Sequence, residues 1–182
     1  MHVGAVETIP AEEGTFDFIC LYHVFEHLDD PQAALKQFRR LLKPGGRLLL
    51  EVPHYRSAFS QWFGARWFHL DVPRHVFHYG VKSLTAALNR EGFEVDGIKT
   101  RYFLYDVFGN IQSFLNGFLK TKQILNGKEV QASFKLSDIV RRPRVYWELV
   151  AARLMWPVLF VSFAAVQAVF WALNIEGGTL TV

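Results

Sequence analysis

The fold is decided by the stretch Gly14-Thr-Phe-Asp-Phe-Ile-Cys-Leu-Tyr-His-Val-Phe-Glu-His-Leu-Asp-Asp-Pro31. Its apolar run, Phe16 to Tyr22, is short and lies between a glycine and a charged segment. This pattern predicts a strand buried on both faces, as in a parallel sheet. Asp30 then stands where a helix N-cap is expected, and Pro31 suits the first helical position. The stretch therefore predicts a strand followed directly by a helix.

The predicted helix runs to about Lys43, with apolar residues on one face and basic residues on the other. Pro44-Gly45-Gly46 ends it, because proline cannot continue the helical hydrogen bonds and glycine adopts the left-handed turn. The apolar segment Arg47–Val52 is the next predicted strand.

A second unit of the same kind follows. Ser83–Arg90 is a predicted short helix ended by Gly92, and Phe93–Thr100 alternates like a half-buried strand. Repeated strands and helices in this order predict an α/β fold with a mostly parallel sheet. Such a sheet needs more than three strands, so the sequence predicts an incomplete one.

Composition narrows the classes of function. The chain has 182 residues, 51% of them hydrophobic, and a net charge of only +3, which is too small to imply nucleic-acid binding without a concentrated basic stripe. The single cysteine, Cys20, excludes internal disulfides and a cysteine-based zinc site, and we predict a small buried thiol in a reducing cytoplasm. No basic stretch followed by an apolar core opens the sequence, so no signal peptide is expected.

Together these motifs resemble class I S-adenosyl-L-methionine (SAM)-dependent methyltransferases. The resemblance rests on Gly14–Pro31, on Leu41-Leu-Lys-Pro-Gly-Gly-Arg-Leu-Leu-Leu-Glu-Val-Pro53, and on Trp67-Phe-His-Leu-Asp-Val-Pro-Arg-His75, and it covers residues 3 to 100. The third motif is typical of a subgroup with a Trp/Asp/Pro-Arg-His signature after strand five. The resemblance implies a partial doubly wound, Rossmann-like sheet and SAM as the cofactor.

The resemblance also implies which residues face the cofactor. Ala5 and Val6 would lie along the adenine of SAM. Leu21, Tyr22 and His23 would lie at the carboxyl end of a parallel strand, where open α/β sheets bind ligands. The family's glycine-rich loop and ribose-binding acid are not in this sequence, since Met1 would fall near the end of strand three. We therefore expect a truncated chain that binds SAM poorly by itself.

The acceptor side of the site is implied by a group of polar residues placed over the methyl donor: His69, Asp71, Arg74, His75 and His78. His75 is the predicted catalytic base for an acceptor hydroxyl, because imidazole titrates near neutral pH. Arg74 could pair with a carboxylate or phosphate of the acceptor. The alternative is structural: Asp71 pairs with Arg74, and the histidines stack on neighbouring aromatic rings.

No metal is expected. His23-Val-Phe-Glu26-His27 matches the His-x-x-Glu-His pattern of zinc hydrolases, but that pattern requires one continuous helix, and His23 ends a predicted strand. The spacing of the histidines after Trp67 offers no convincing zinc ligand pair either. We predict that Glu26 and His27 fix the turn by hydrogen bonds.

A long apolar segment follows the predicted α/β region. Leu154–Ile175 has 22 residues without a charge, about 33 Å as a helix, and four arginines (141, 142, 144 and 153) precede it. Gly177–Val182 resembles the family's last strand, antiparallel beside strand six, which places both flanks on one side of any membrane. We favour a monotopic or re-entrant helix over a single span or a soluble core helix. A lid over the active site is the alternative role.

The sequence thus predicts residues 1–100 as the C-terminal part of a methyltransferase domain, 101–175 as a helical, partly membrane-associated insertion, and 176–182 as the start of the final strand. The predicted activity is methyl transfer to a small or amphiphilic acceptor, such as a quinone-like ring or a lipid-linked sugar. The predicted location is cytoplasmic, with peripheral or monotopic attachment through 154–175. The alternative is a non-catalytic, membrane-associated fragment or interaction module.

Overall fold

A computed structural model describes residues 4–100, 102–120, 124 and 141–182 of the protein. The chain forms two compact units. The sheet unit comprises Met1–Arg56, Val72–Thr100 and Thr179–Val182, and the helical unit comprises Ser57–Asp71 and Arg101–Gly178. The helical unit thus includes the segment 57–71 as well as the whole of the predicted insertion, 101–175.

The elements are as follows. The strands are β1 (Phe16–Tyr22), β2 (Leu42–Pro53) and β3 (Thr179–Thr181); the helices are α1 (Pro31–Leu41), α2 (Ala58–Phe63), α3 (Val81–Arg90), α4 (Phe103–Phe118) and α5 (Pro143–Ala172). Short 3-10 turns cover Val6–Thr8, Phe25–His27, Gly64–Arg66 and Phe68–Leu70. The predicted β1, α1 and α3 are confirmed, with α1 ending at Leu41 rather than Lys43.

The sheet is small and mixed, in the order β1-β2-β3. β1 pairs parallel with β2 and brings Tyr22 opposite Glu51, while β3 pairs antiparallel with β2. The α/β class is confirmed, and the last strand is antiparallel as predicted, but it pairs with β2 and meets the segment predicted as strand six in a single bridge.

The predicted strand Phe93–Thr100 is wrong. Only Lys99 pairs, in one bridge with Thr181, where each backbone N–H donates to the other's carbonyl at 2.8 and 2.7 Å. Two features explain this: β3 is only three residues long, and Gly97 interrupts the alternation, since glycine weakens a strand interior.

The second strand begins earlier than predicted. β2 starts at Leu42, opposite Phe16, but Phe18 is opposite Arg47, so the Pro44-Gly45-Gly46 segment forms an irregularity within the strand. Gly45 has φ +76°, which glycine adopts at little cost. The Pro-Gly-Gly motif therefore follows the end of α1, as predicted, but it lies inside β2 as a bulge.

The burial predicted for β1 is also wrong. The alternate residues Phe16, Phe18, Cys20 and Tyr22 are exposed, while Leu21 points into the core. β1 is an edge strand, and no described element of the sheet unit covers this face. Cys20 is accordingly an exposed thiol instead of the buried one that its apolar neighbours predicted.

The core of the sheet unit lies between the sheet and helices α1 and α3. Fully buried members include Phe25, Leu35, Leu50, Leu84 and Leu180. Burial of such side chains contributes about 1.5–3 kcal/mol each. The turn after β1 therefore belongs to the core through Phe25, and this holds the polar residues next to it in place.

The helical unit is built on α4 and α5. Apolar residues of both helices, among them Ile111, Leu115, Leu149 and Phe163, form its core with Phe59 of α2. Buried polar side chains on α4 also bond within the unit: the Ser113 hydroxyl accepts from the Phe68 N–H at 2.8 Å. α4 is thus more polar on its buried side than an interfacial helix needs to be.

The cap of α1 tests the sequence-based account of this region. The Asp30 carboxylate accepts a hydrogen bond from the Ala33 N–H at 2.9 Å. We expect Asp30→Ala to lower the free energy of unfolding by about 1 kcal/mol in urea denaturation, because this N–H loses its acceptor. Asp29→Ala is the matched control, since the exposed Asp29 caps no helix in the described structure. Equal losses in the two variants would contradict the assignment.

Candidate functional site

The candidate site lies where β1 and β2 end in the sheet unit. His23, the residue after β1, has φ +51°, and its N–H donates to the Glu51 carbonyl at 2.8 Å. Its side chain lies between two carboxylates, with Nδ1 3.4 Å from Glu26 Oε1 and Nε2 3.3 Å from Glu51 Oε1. Thr181 of β3 donates its hydroxyl to Glu51 Oε2 at 3.3 Å. A series of polar side-chain contacts thus crosses the carboxyl ends of the parallel strands.

Glu26 is the centre of a group that also includes His23, His27 and His75, which we term the Glu26 cluster. Its side chain is 1% exposed, and neither carboxylate oxygen accepts a hydrogen bond from any described residue. The nearest basic atoms are His23 Nδ1 at 3.4 Å and His75 Nε2 at 3.9 Å from Oε1. Buried carboxylates without hydrogen bonds are rare in proteins, since loss of hydration is costly. Glu26 therefore marks a position where a ligand, proton or ion is needed.

The backbone of the Phe25–His27 turn holds the loop that carries His75. The Glu26 carbonyl accepts hydrogen bonds from the Val76 and Phe77 N–H groups, at 3.0 and 3.2 Å. His27 Nδ1 lies 2.8 Å from the Arg74 carbonyl, and the His27 ring meets the His75 ring edge-on at 4.7 Å between centroids. The predicted hydrogen-bonding role is confirmed for His27. For Glu26, the backbone carbonyl fixes the loop and the carboxylate does not.

Tyr79 closes the buried side of the cluster. Its ring stacks on Phe25, with centroids 5.3 Å apart, and its buried hydroxyl has no hydrogen-bond partner among the described residues. Burial, and secondarily the negative charge of Glu26, raise the pKa of Tyr79 well above its usual value. Tyr79 is therefore neutral over the physiological pH range.

The structure places the predicted cofactor-facing residues as follows. Ala5 is exposed at the start of the Val6–Thr8 turn, and Val6 packs partly against the core of the sheet unit. Leu21 is buried in that core, whereas Tyr22 projects an exposed ring at the carboxyl end of β1. Together with His23, Tyr22 gives this end of the strand an exposed aromatic face and a polar side chain.

The predicted acceptor-side residues divide between the two units. Arg74, His75 and His78 lie on one loop of the sheet unit, with 6.4 Å between the His75 and His78 ring centroids. His78 also contacts the Tyr55 ring, at 5.3 Å.

His69 and Asp71 belong to the helical unit. His69 is buried there and packs against the rings of Phe68 and Tyr105, at 4.7 and 5.0 Å. Gly109 leaves room for this ring, since a Cβ at that position would lie 2.5 Å from His69 Nε2. Asp71 adopts a left-handed backbone with φ +33°.

Sequence reasoning missed part of the site. Glu51 and Tyr79 were assigned no role, although Glu51 is a carboxylate at the end of an apolar strand, which is a usable signal. It also missed that Glu26, His27 and His75 place ligand atoms within 4.8 Å of one another, an arrangement that could hold a metal ion. The helix that a His-x-x-Glu-His zinc hydrolase requires is absent, because residues 25–27 form a short 3-10 turn.

A cavity of 1020 Å³ in the sheet unit lies elsewhere. It is lined by the first half of β2, including Gly45 and Arg47, and by the segment around Gly97. Ligands of open α/β sheets bind beyond the carboxyl ends of the strands, so this cavity is at the wrong end of β2.

A comparison with protein families decides the affiliation. The family model described as "Methyltransferase domain" matches residues 2–97, more than half of the chain. The chain belongs to this methyltransferase domain family. The matched residues include the whole β1–α1–β2 region, the Glu26 cluster and α3.

Curated relatives of this methyltransferase domain include ubiquinone biosynthesis O-methyltransferases from two Xanthomonas species. The protein from Xanthomonas oryzae pv. oryzae is 38% identical over 80 residues, 42% of this chain and 34% of its own. The one from Xanthomonas euvesicatoria pv. vesicatoria is 31% identical over 115 residues, 59% of this chain and 47% of its own. The chain thus spans between a third and a half of the length of these relatives.

Among solved structures, a SAM-dependent methyltransferase from Archaeoglobus fulgidus superimposes with a TM-score of 0.51. The alignment covers 100% of this chain and 64% of the other, at 14% identity, and it supports the fold assignment alone. The Rossmann-like fold predicted from the sequence is confirmed.

SAM is the cofactor of this methyltransferase domain family. The residues present fit one side of such a ligand: the exposed Tyr22 ring and the left-handed turn at His23 leave the carboxyl end of β1 open and polar. Val6 and Ala5 lie on the turn that the family resemblance places along the adenine. The sequence contains no glycine-rich loop for the other side.

Tyr79 gives a direct test of the electrostatics at this site. Above the ordinary tyrosine pKa of about 10, the unfolded chain loses a proton that folded Tyr79 keeps, so stability falls as pH rises, by up to about 1.4 kcal/mol per unit. We expect Tyr79→Phe to remove this loss between pH 10 and the raised pKa of Tyr79. At pH 7 it should leave the free energy of unfolding nearly unchanged, because the hydroxyl has no partner to lose.

The measurement is urea denaturation of wild type and variant at pH 7 and at pH 11, with a chelator present. Tyr55→Phe removes the same atom at an exposed position and is the matched control. A Tyr79→Phe protein with the same alkaline loss of stability as wild type would contradict the account.

Proposed function

We propose that the protein is part of a SAM-dependent methyltransferase that methylates a small or amphiphilic acceptor at the carboxyl end of β1. The observation that supports this most is the Glu26 cluster. A buried carboxylate and three imidazoles converge at the edge of the sheet where this family's cofactor is expected. The activity is a proposal for the whole protein, because the chain spans between a third and a half of the length of its curated relatives.

SAM would supply the methyl group on a sulfonium, which makes alignment of donor and acceptor the main requirement for catalysis. Tyr22, His23, Ala5 and Val6 are the residues of this chain proposed to hold it. His75 is proposed to act on the acceptor: its side chain is 9% exposed, and buried Glu26 lies 3.9 Å from its Nε2. A carboxylate at this distance stabilises a protonated imidazole, which suits an imidazole that takes a proton from an acceptor hydroxyl.

The structural alternative, in which the histidines stack on neighbouring rings, is supported by the contacts of His75 with His27 and of His78 with Tyr55. Arg74 is exposed at the start of the loop and is proposed to bind an acidic group of the acceptor, and His78 to line the acceptor site beside Tyr55. The acceptor-side roles of His69 and Asp71, which belong to the helical unit, stay predictions from the family resemblance.

We further propose that α5 attaches the protein to a membrane surface, where an amphiphilic acceptor is found. α5 is long and apolar enough to cross a membrane, but so are core helices of soluble proteins. Only 22% of its most apolar window is buried, which disfavours a core helix. Exposed apolar residues recur on one face at helical spacing and form what we term the apolar stripe: Leu154, Val158, Val161, Ala165, Val169 and Ala172.

The stripe has the chemistry of a lipid-facing surface. Leu154 is 75% exposed, and no charged residue occurs from there to the end of α5. The exposed Ser162 hydroxyl donates to the Val158 carbonyl of its own helix at 2.8 Å, so it needs no water. The exposed Arg141 and Arg153 lie before the stripe, and basic residues there favour anionic lipids of a cytoplasmic leaflet.

Attachment in the plane of one leaflet is favoured over a single span. Lys99 precedes the second segment of the helical unit (Arg101–Gly178) and Thr181 follows it, and these two residues are hydrogen-bonded to each other in the sheet unit. A helix that crossed the bilayer once between them would place these two residues on opposite sides. A non-catalytic membrane-associated module is the second candidate function, and it is supported by the stripe alone.

Methyl transfer is tested with radiolabelled SAM, using the complete gene product and a lipid extract as the source of acceptor. We expect His75→Ala to lower turnover by at least about 100-fold, because general-base catalysis contributes this much. Affinity for S-adenosylhomocysteine, measured by calorimetry, should be unchanged, since His75 is placed on the acceptor side. Unchanged turnover would remove His75 from the mechanism, and a folded protein without transfer or S-adenosylhomocysteine binding would favour the non-catalytic module.

Membrane attachment is tested by sedimentation with vesicles of phosphatidylcholine and phosphatidylglycerol. We expect the double variant Val158→Asp, Val161→Asp to lose most of the bound fraction, because charges on the stripe are costly in an apolar phase. The matched control is Ala86→Asp, Asn89→Asp, which adds the same charge at exposed positions of α3. Equal binding of the two double variants would contradict the role of the stripe.

A further inference from the structure

We propose that Glu26, His27 and His75 form a site for a divalent transition-metal ion, with zinc favoured by the ligand set. All three residues belong to the sheet unit, and their candidate ligand atoms lie within 4.8 Å of one another. Two imidazoles and one carboxylate are a common protein ligand set for zinc and related ions.

The first argument is the state of the Glu26 carboxylate. It is almost completely buried, yet its two oxygens accept no hydrogen bond from the described part of the chain. The Tyr79 hydroxyl beside it, also buried, has no partner there and does not reach the carboxylate as a donor. A cation bound between Glu26 and the two imidazoles would compensate the buried charge, as metal ions do at such positions.

The second argument is the orientation of His27. Its Nδ1 lies 2.8 Å from the Arg74 carbonyl, and only a protonated Nδ1 can donate to that oxygen. The neutral ring then has its lone pair on Nε2, available to a metal. Metal-binding histidines typically donate their other N–H to a carbonyl or carboxylate, which fixes the ring and its tautomer.

The third argument is the position of His75. Its ring meets His27 edge-on at 4.7 Å, and its Nε2 is 3.9 Å from Glu26 Oε1. Ligand atoms around one tetrahedral zinc ion are about 3.4 Å apart, given bond lengths of about 2.0–2.2 Å. Small side-chain rotations therefore close the site, and the hydrogen bonds between Glu26 and residues 76 and 77 keep the loop in register.

Three protein ligands leave one coordination position open, which is the arrangement of catalytic rather than structural zinc sites. If the proposed methyltransferase function holds, this position takes a hydroxyl oxygen of the acceptor, and the ion assists loss of its proton. His75 then contributes to catalysis as a ligand of the ion and does not itself take the proton. The proton passes to solvent, the new O–C bond forms, and the S–C bond of the sulfonium breaks. The substrate class implied is then an alcohol or phenol rather than an amine.

The competing explanation is an ion pair, in which protonated His75 or His23 neutralises Glu26 without a metal. The two explanations differ in their ligand specificity. A metal site requires Glu26, His27 and His75 together, whereas an ion pair predicts no stoichiometric metal. His78, on the same loop but outside the three, provides the matched control.

The experiment is calorimetric titration of zinc into the chelator-treated complete protein, followed by cobalt(II) absorption spectra of the same variants. We expect one ion per chain in wild type and in His78→Ala. In Glu26→Gln and in His75→Ala, we expect affinity to fall by at least about 100-fold, because each lacks a direct ligand. Circular dichroism and urea denaturation verify that the variants are folded.

Two results would overturn the proposal: a folded wild type that binds no zinc, or zinc binding that keeps its wild-type affinity in Glu26→Gln and His75→Ala. Neither result depends on methyl transfer, because the titration needs no SAM. Failure of the methyltransferase assay with an intact metal titration would in turn affect the proposed function alone.

Discussion

The structure of the site depends on one buried carboxylate. Glu26 lies between Phe25, a fully buried member of the core, and His27, which binds the backbone of the loop that carries His75. Its own carbonyl anchors that loop by two hydrogen bonds, and its side chain faces His23 and His75. Because the turn is packed into the core, the carboxylate cannot move out to water. The surrounding groups must supply a proton, a cation or a ligand instead.

A second constraint governs the rest of the chain. β3 returns to the sheet beside β2 and exchanges hydrogen bonds with Lys99 through Thr181. The segment between Lys99 and β3 therefore starts and ends at the same sheet. This favours attachment of α5 in one leaflet, with its buried face on α4 and its apolar stripe toward lipid.

Local signals in the sequence predicted most of the sheet unit, because strand, cap and helix patterns act over a few residues. The Asp30 cap is one example. The errors arose where tertiary context decides. Cys20 is exposed because no described element of the sheet unit covers its face of β1, and Phe93–Thr100 lacks a partner long enough to pair with. The catalytic role of His75 was predicted from its motif and stays a prediction. Glu51 left a local signal as a carboxylate at the end of an apolar strand, but its contact with His23 and the burial of Tyr79 near Glu26 depend on residues that are distant in sequence.

We propose above all that SAM binds at the carboxyl end of β1. The most direct measurement is a series of ¹H–¹⁵N correlation spectra of the complete gene product titrated with S-adenosylhomocysteine. The account predicts saturable shifts at the backbone amides of Val6, Tyr22 and His23, with little change at Gly45 and Gly97 in the cavity at the other end of β2. Shifts confined to Gly45 and Gly97, or none in a folded protein, would contradict it.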